Sequence, residues 1–202
     1  MIGDIEAGWR YAAVAAVFRP SETGTAELLF MRRTVSDDDP WSGQVSFPGG
    51  RHEAADASLE HTAARETLEE VGIDLLGDPA CRRLGALDEI RARARREIAK
   101  MAIRPYGFVL DHRRAGASVA DVQEVAAVQF VPLETLLDAG RRTVYDATRD
   151  GAAYRFPGID LSDLLGAGPP LWGLTLHMTA EILGRVGLVD DVAGFSTPQP
   201  IV

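Results

Sequence analysis

Three carboxylates, Glu66, Glu69 and Glu70, stand close together in this 202-residue chain, directly after Arg65. From Ala57 to Val71 no helix breaker interrupts them and Gly72 follows as a natural stop, so the segment is predicted to be a helix. At ~100° per residue the three glutamates fall within an arc of about 100°, which places them along one edge. Like charges at that spacing repel by roughly a few tenths of a kcal/mol per pair. The cluster therefore costs stability unless cations neutralise it. Hard carboxylate oxygens suit magnesium or manganese, which keep several waters and bridge to phosphates. An acidic helical face is ordinarily a solvated surface, but here Phe47-Pro48-Gly49-Gly50 lies just upstream. Glycine there lets a backbone carbonyl or amide approach a metal or phosphate with no side chain in the way. Arg65 is placed to hold the adjacent Glu66 ionised through a charge-assisted hydrogen bond. On the same wheel Ala64, Leu68 and Val71 lie opposite, the face expected to pack on a sheet.

The elements that must carry these groups are legible in outline. Tyr11 to Arg19 and Ala26 to Arg33 read as paired strands across a turn-like Ser21 to Gly24. The polar run Ser36 to Pro40 reads as a loop, and Gly43 to Phe47 as a short strand closed by Pro48-Gly49-Gly50. Further strands are predicted at Arg83 to Leu87, Ala102 to Leu110 and Val125 to Phe130, with a short helix at Leu133 to Ala139. Leu171 to Val186 is predicted as a second long helix, and Val189 to Val202 as a surface segment. No regular alternation of strand and helix is present, so an α+β layered fold is expected rather than a doubly wound sheet.

Thirty acids against twenty-one bases give a net charge of -9, which argues against gripping nucleic acid through its phosphates. The same balance permits a phosphate-bearing small substrate if some acids gather round divalent cations. No apolar run approaches the roughly 18 residues of a membrane span, and no basic or apolar leader is visible. A cytoplasmic location without membrane contact is the expectation. Cys81 is the one cysteine, which excludes an internal disulfide and a cysteine-built metal site. His52, His61, His112 and His177 make no ligand pair at a recognisable spacing.

Gly50 through Ile73, ending Arg65-Glu66-Thr67-Leu68-Glu69-Glu70-Val71-Gly72-Ile73, resembles the Nudix box. In the family's usual pattern a glutamate follows the glycine after five residues, and seven more precede the Arg-Glu pair. Here Asp56 takes the glutamate's place and eight residues precede Arg65. Asp56 is expected to cap the helix or to support the ligands from behind, a role Glu53 could also fill. Phe47 to Arg51, Asp56-Ala57-Ser58 and Thr62 to Glu66 are similar to the coenzyme A diphosphatase branch. Leu28-Leu29, Arg32 and Gly43 match it in part, although Asp39 stands where that branch usually has Arg and the Arg32 to Gly43 segment is longer. Trp172-Gly173-Leu174-Thr175 resembles its closing helix, so the resemblance runs roughly from Tyr11 to Leu183.

The resemblance implies a Nudix-type α/β/α sandwich with a mixed central sheet, as one domain over residues 1–202. It implies a magnesium-dependent diphosphatase, with manganese able to substitute, acting on a small nucleotide diphosphate. Coenzyme A or an acyl-coenzyme A is the first expectation. Another nucleoside diphosphate derivative or a nucleoside triphosphate is the alternative, and a non-catalytic nucleotide-sensing module a third reading. Glu66, Glu69, Glu70 and the Gly50 carbonyl would be the metal ligands, with Glu66 or Glu69 as general base and Arg65 beside them. Glu124, just before the Val125 strand, would be a late acid near the metals. Arg32, Arg33 and Arg51 would meet the substrate, and a homodimer is a further implication. The basic stretch Arg91, Arg93, Arg95, Arg96 and Lys100 reads either as a solvated edge or as a contact for a remote phosphate such as the 3'-phosphate of coenzyme A.

Overall fold

The computed structural model describes residues 9–21, 24–37, 39, 41–93, 100–111, 117–149, 151–197 and 199–200. Strand β1 (Trp9–Pro20) organises the molecule because its small alternating residues let neighbours close on both faces. Ala13, Ala15 and Val17 point to one side while Ala16 points to the other, the period-two alternation of a strand covered on both faces. Strand β2 (Ala26–Arg33) pairs antiparallel with it from Phe18 opposite Leu28 to Pro20 opposite Ala26, as the turn-linked hairpin predicts. The short strands β3 (Val45–Ser46) and β4 (Gly49–Arg51) follow, β3 on β2 and β4 on β1. Next come helix α1 (Leu59–Val71) and strands β5 (Cys81–Ala86), β6 (Ile90–Arg93), β7 (Lys100–Leu110) and β8 (Val125–Pro132).

Among the described residues these strands form one eight-stranded sheet, in the order β3-β2-β1-β7-β5 with β4, β6 and β8 attached to β1, β7 and β2. The β1–β7 pair is parallel and the others are antiparallel, so the sheet is mixed. Helix α1 packs Leu59, Ala63, Ala64 and Val71 against Ala13, Ala15 and Val17 on one face. The opposite face carries a larger core in which Phe30 stacks on Phe47 with ring centroids 5.0 Å apart.

The remaining elements build that second layer. They are helix α2 (Leu133–Leu137), strands β9 (Arg142–Arg149) and β10 (Ala152–Ile159), helix α3 (Ser162–Leu165), strand β11 (Leu171–Trp172), helices α4 (Gly173–Arg185) and α5 (Val192–Ser196), and strand β12 (Gln199–Pro200). Leu176, Ile182 and Leu183 of α4 share one core with Leu28 and Phe30 of β2, so helices cover both faces of the mixed sheet. This is the expected α+β sandwich.

Three features differ from the sequence expectation. The hairpin β9–β10, paired from Arg142 opposite Ile159 to Arg149 opposite Ala152, adds a second, four-stranded antiparallel sheet. The predicted second long helix begins at Gly173, because Leu171–Trp172 is a strand paired to Gly158–Ile159. The tail also folds back more than expected, since α5 buries Phe195 in the core.

Candidate active site

Helix α1 starts at Leu59, two residues later than the sequence suggested. Its N-cap is Ser58, whose Oγ accepts the His61 backbone N–H at 3.2 Å. It ends where Gly72 takes the left-handed conformation and donates its N–H to the Leu68 carbonyl at 3.0 Å. The packing face is rotated from the one expected: Leu68 is 48% exposed, while Thr67 and Glu70 are buried with Ala63, Ala64 and Val71. The three glutamates therefore span a gradient from interior to solvent. Their side chains are 3% exposed at Glu70, 15% at Glu66 and 56% at Glu69.

The Gly49-Gly50 turn explains how a carboxylate can face inward. Gly49 has φ +150, and a Cβ there would collide with the Ala13 carbonyl and with Val14, so only glycine lets β4 sit this close to β1. That approach brings the Gly49 N–H to 2.8 Å from Glu70 Oε2. A Cβ on Gly50 would run into the Glu66 carboxylate. The two glycines thus hold Glu66 and Glu70 against bare backbone.

Arg65 and Asp56 form the other half of the site. Arg65 donates from Nε to Asp56 Oδ1 at 2.9 Å and from Nη2 to Asp56 Oδ2 at 3.2 Å. Its guanidinium also reaches Glu66 Oε1 at 3.0 Å and Glu69 Oε2 at 2.9 Å, and donates to the Arg51 carbonyl at 3.3 Å. Asp56 accepts further bonds from Thr62 Oγ1 at 2.9 Å and from the Glu53 N–H at 3.0 Å. The Arg65 hydrogen bonds, helped by those from Glu53 and Thr62, hold its carboxyl well below the usual aspartate range. Reciprocally, Asp56 and Glu66 raise the proton affinity of Arg65. The expectation that Asp56 caps α1 is corrected: Ser58 does so, and Asp56 braces Arg65. Glu53 contributes its backbone N–H, and its side chain is exposed.

Burial dominates the electrostatics of the two inner glutamates. It pushes the Glu66 carboxyl up, against the pull of Arg65, and pushes Glu70 up to about 8 against the Gly49 N–H. The charges of Glu69 and Glu124 add to the rise at Glu66, and those of Glu66 and Glu124 to the rise at Glu70. Glu124 is thus electrostatically part of the group, although its side chain is exposed and its carbonyl accepts the Thr34 N–H at 2.8 Å.

Alternation along β2 separates the expected substrate arginines. Arg33 follows Leu29 and Met31 onto the α1 face, where its Nη1 lies 3.9 Å from Glu70 Oε1 and its Nε donates to Asp39 Oδ2 at 2.8 Å. Arg32 follows Leu28 and Phe30 onto the other face and is buried. There Nε donates to the Leu165 carbonyl at 2.9 Å, and Nη1 to those of Gly43 at 2.8 Å and Pro169 at 3.1 Å. This corrects the assignment of Arg32 to the substrate: it ties the loop before β11 to the sheet. Arg51 is exposed and pairs with Ala12, so it alternates away from Gly50. Arg95, Arg96 and His112 lie outside the described residues. Of the basic stretch, Arg91 lies over the Trp9 ring at 4.7 Å and Lys100 at 5.8 Å.

The donor set fits a hard cation. Glu70 Oε1 is buried with no hydrogen-bond partner, an expensive condition for a carboxylate unless a cation supplies the missing interaction. Among the described residues no three acidic, histidine or cysteine side chains already close round a common point, and Glu69 is held by Arg65.

The model of the NUDIX domain matches residues 9–150. The chain belongs to the Nudix family. Nudix hydrolase 3 of Caenorhabditis elegans is 27% identical over 154 residues, which are 70% of this chain and 60% of that protein. The mitochondrial coenzyme A diphosphatase NUDT8 of Homo sapiens is 44% identical over 63 residues, 30% of this chain and 27% of the human protein. This Nudix chain thus spans less than two thirds of the length of either relative. In fold it is similar to an Ap4A hydrolase of C. elegans, solved as a binary complex, with a TM-score of 0.50 and 16% identity over 63% of this chain and 83% of that one.

Sequence reasoning missed two members of the site. The glycines read as backbone open to a metal or phosphate, whereas the Gly49 N–H binds the Glu70 carboxylate, and Asp39 stood out as a departure from the branch without a partner. An acid in the loop leaving a strand that ends in Arg is the signal that could have paired it with Arg33.

Proposed function

We propose that this Nudix chain is a divalent-metal-dependent hydrolase that cleaves the diphosphate of coenzyme A or an acyl-coenzyme A. The products are 3',5'-ADP and a 4'-phosphopantetheine species. The observation that carries the hydrolase reading is the partnerless buried Oε1 of Glu70, set between Glu66 and the Gly49-Gly50 backbone. Glu70, Glu66 and the Gly50 carbonyl would hold magnesium or manganese, with Glu69 joining them when Arg65 shares it. Bound there, the ion supplies charge neutralisation on the diphosphate and a more acidic water.

The chain's own residues do the rest. Glu66 is the group that takes the water's proton: its carboxylate packs over Gly50 and burial raises its proton affinity, whereas Glu69 is exposed and paired with Arg65. Arg65, locked by Asp56, keeps Glu66 oriented. Arg33 faces the site and is the cation available to a substrate phosphate. The core shared by β2 and α4 supports reading the chain as one domain.

Coenzyme A as substrate draws support from the Phe47 to Arg51 and Asp56-Ala57-Ser58 segments and from the similarity to the human coenzyme A diphosphatase. One observation favours a second reading: Arg32 is committed to backbone carbonyls, which removes a cation expected for the 3'-phosphate. That favours a nucleoside diphosphate derivative lacking this phosphate. Steady-state kinetics with magnesium on coenzyme A, dephospho-coenzyme A, ADP-ribose and NADH separates them. Coenzyme A is expected to have the highest kcat/KM, roughly tenfold above dephospho-coenzyme A if one charge-assisted hydrogen bond distinguishes them. A preference for ADP-ribose over both overturns the coenzyme A reading and leaves the diphosphatase chemistry standing. No turnover of any diphosphate overturns both.

A further inference from the structure

We infer that Asp39 is a positioning residue that holds the Arg33 guanidinium set back from Glu70, leaving Glu70 open to a cation and Arg33 aimed at a phosphate of the substrate. The inference rests on the hydrolase reading above and concerns how one of its cations is placed.

The geometry begins in the backbone. The register shift between β2 and β8 at Arg32 and Arg33 is taken up on β8, where Ala126 is the extra residue, so β2 keeps its alternation and Arg33 stays on the face that carries Glu70. The Arg33 N–H is fixed to the Gln44 carbonyl at 2.9 Å, so the start of the side chain is anchored. Asp39 is anchored too. Its N–H donates to the Ser36 carbonyl at 3.4 Å, its carbonyl accepts the Ser42 N–H at 3.0 Å, and its Oδ1 accepts the Trp41 N–H at 3.0 Å. With one carboxylate oxygen held by backbone, the other is left for Arg33 Nε at 2.8 Å.

That single bond decides where the guanidinium points. A planar fork pinned at Nε keeps Nη2 on the Asp39 side, with an N–H alongside Nε–H, and leaves Nη1 on the far edge to project away. Nη1 projects toward Glu70 and stops 3.9 Å from Oε1, beyond hydrogen-bond length. Glu70 Oε1 consequently has a neighbouring positive charge but no donor. Two carboxylates compete for one arginine, and the geometry gives it to Asp39. Without Asp39, Arg33 would have Glu70 as its remaining partner at that distance, and a direct ion pair would block the oxygen a cation needs.

The test measures Mn2+ binding to the substrate-free protein by electron paramagnetic resonance, alongside kinetics with the preferred diphosphate, for the wild type, Asp39→Asn, Arg33→Met and the double variant. Asp39→Asn is expected to weaken Mn2+ binding by about tenfold or more, the range for residues that orient a metal ligand's surroundings. Arg33→Met is expected to bind Mn2+ at least as tightly as wild type and to raise KM more than it lowers kcat. The double variant should behave as Arg33→Met, because Asp39 acts only through Arg33. Unchanged or tighter Mn2+ binding in Asp39→Asn overturns the inference, as does a double variant whose Mn2+ affinity falls to that of Asp39→Asn. If wild-type protein turns over no diphosphate while the Mn2+ series comes out as stated, the hydrolase reading fails and the placement of Arg33 stands.

Discussion

Replacing Asp56 with alanine should cost far more than a helix cap and should do so in a pH-dependent way. The side chain is 5% exposed and accepts from Arg65 Nε and Nη2, Thr62 Oγ1 and the Glu53 N–H. Hydrogen bonds to a charged group contribute about 1.5–3 kcal/mol each, and stripping one partner from a buried ion pair costs about 3–5 kcal/mol. Arg65 is still 27% exposed, so water compensates part of the loss and the expected cost is roughly 2–4 kcal/mol. The sign with pH follows from the depressed carboxyl. Asp56 contributes its full stabilisation above the ordinary aspartate pKa of about 3.9, and the contribution falls as pH drops below that toward its folded value. Urea unfolding of wild type and Asp56→Ala at pH 6 and at pH 3 therefore should give a large difference at pH 6 and a smaller one at pH 3. Ser58→Ala is the control, with a cost of about 1 kcal/mol that does not change between those pH values. A cost near that of the control, equal at both pH values, would refute the bracing role.

Three further outcomes are expected. Glu70→Gln should abolish Mn2+ binding and lower kcat by roughly 10²–10⁴ while the protein stays folded by circular dichroism; near-normal turnover would show that the box is misread. Because burial raises the Glu70 pKa to about 8, the metal-free protein should lose stability as pH rises from the unfolded glutamate range through 8, and magnesium added at pH 7 should displace a proton. Calorimetric titrations in buffers of different ionisation enthalpy count that proton, and none released would contradict an inward, protonated Glu70. Gly50→Ala should lower kcat at least tenfold, because its Cβ collides with the Glu66 carboxylate; unchanged kcat would mean that Glu66 can move aside without consequence.

The local content of the site was readable from the chain. Helix α1 and its stop at Gly72 follow from an unbroken run ended by a residue that tolerates positive φ, and the three glutamates share an edge because helical periodicity is a local property. Even the separation of Arg32 from Arg33 was available in principle, since strand alternation must send adjacent side chains to opposite faces. What periodicity leaves open is rotation about the helix axis. Apolar content pointed to Ala64, Leu68 and Val71 as the buried stripe, yet Leu68 is exposed and Glu70 is inside. The buried carboxylate is tolerated because Gly49, distant in sequence, brings its N–H to Oε2, and only the β1–β4 pairing puts it there. Asp56 was likewise ambiguous, because a short acid before a helix suits a cap as well as a brace, and the choice depended on where Arg65 turned. The β9–β10 hairpin escaped for a related reason: Arg142, Asp146 and Arg155 interrupt its apolar alternation, and its partner faces come from α4 and α5 near the end of the chain. Local geometry selects which side chains share an edge; which edge turns inward is decided by partners that folding brings from elsewhere.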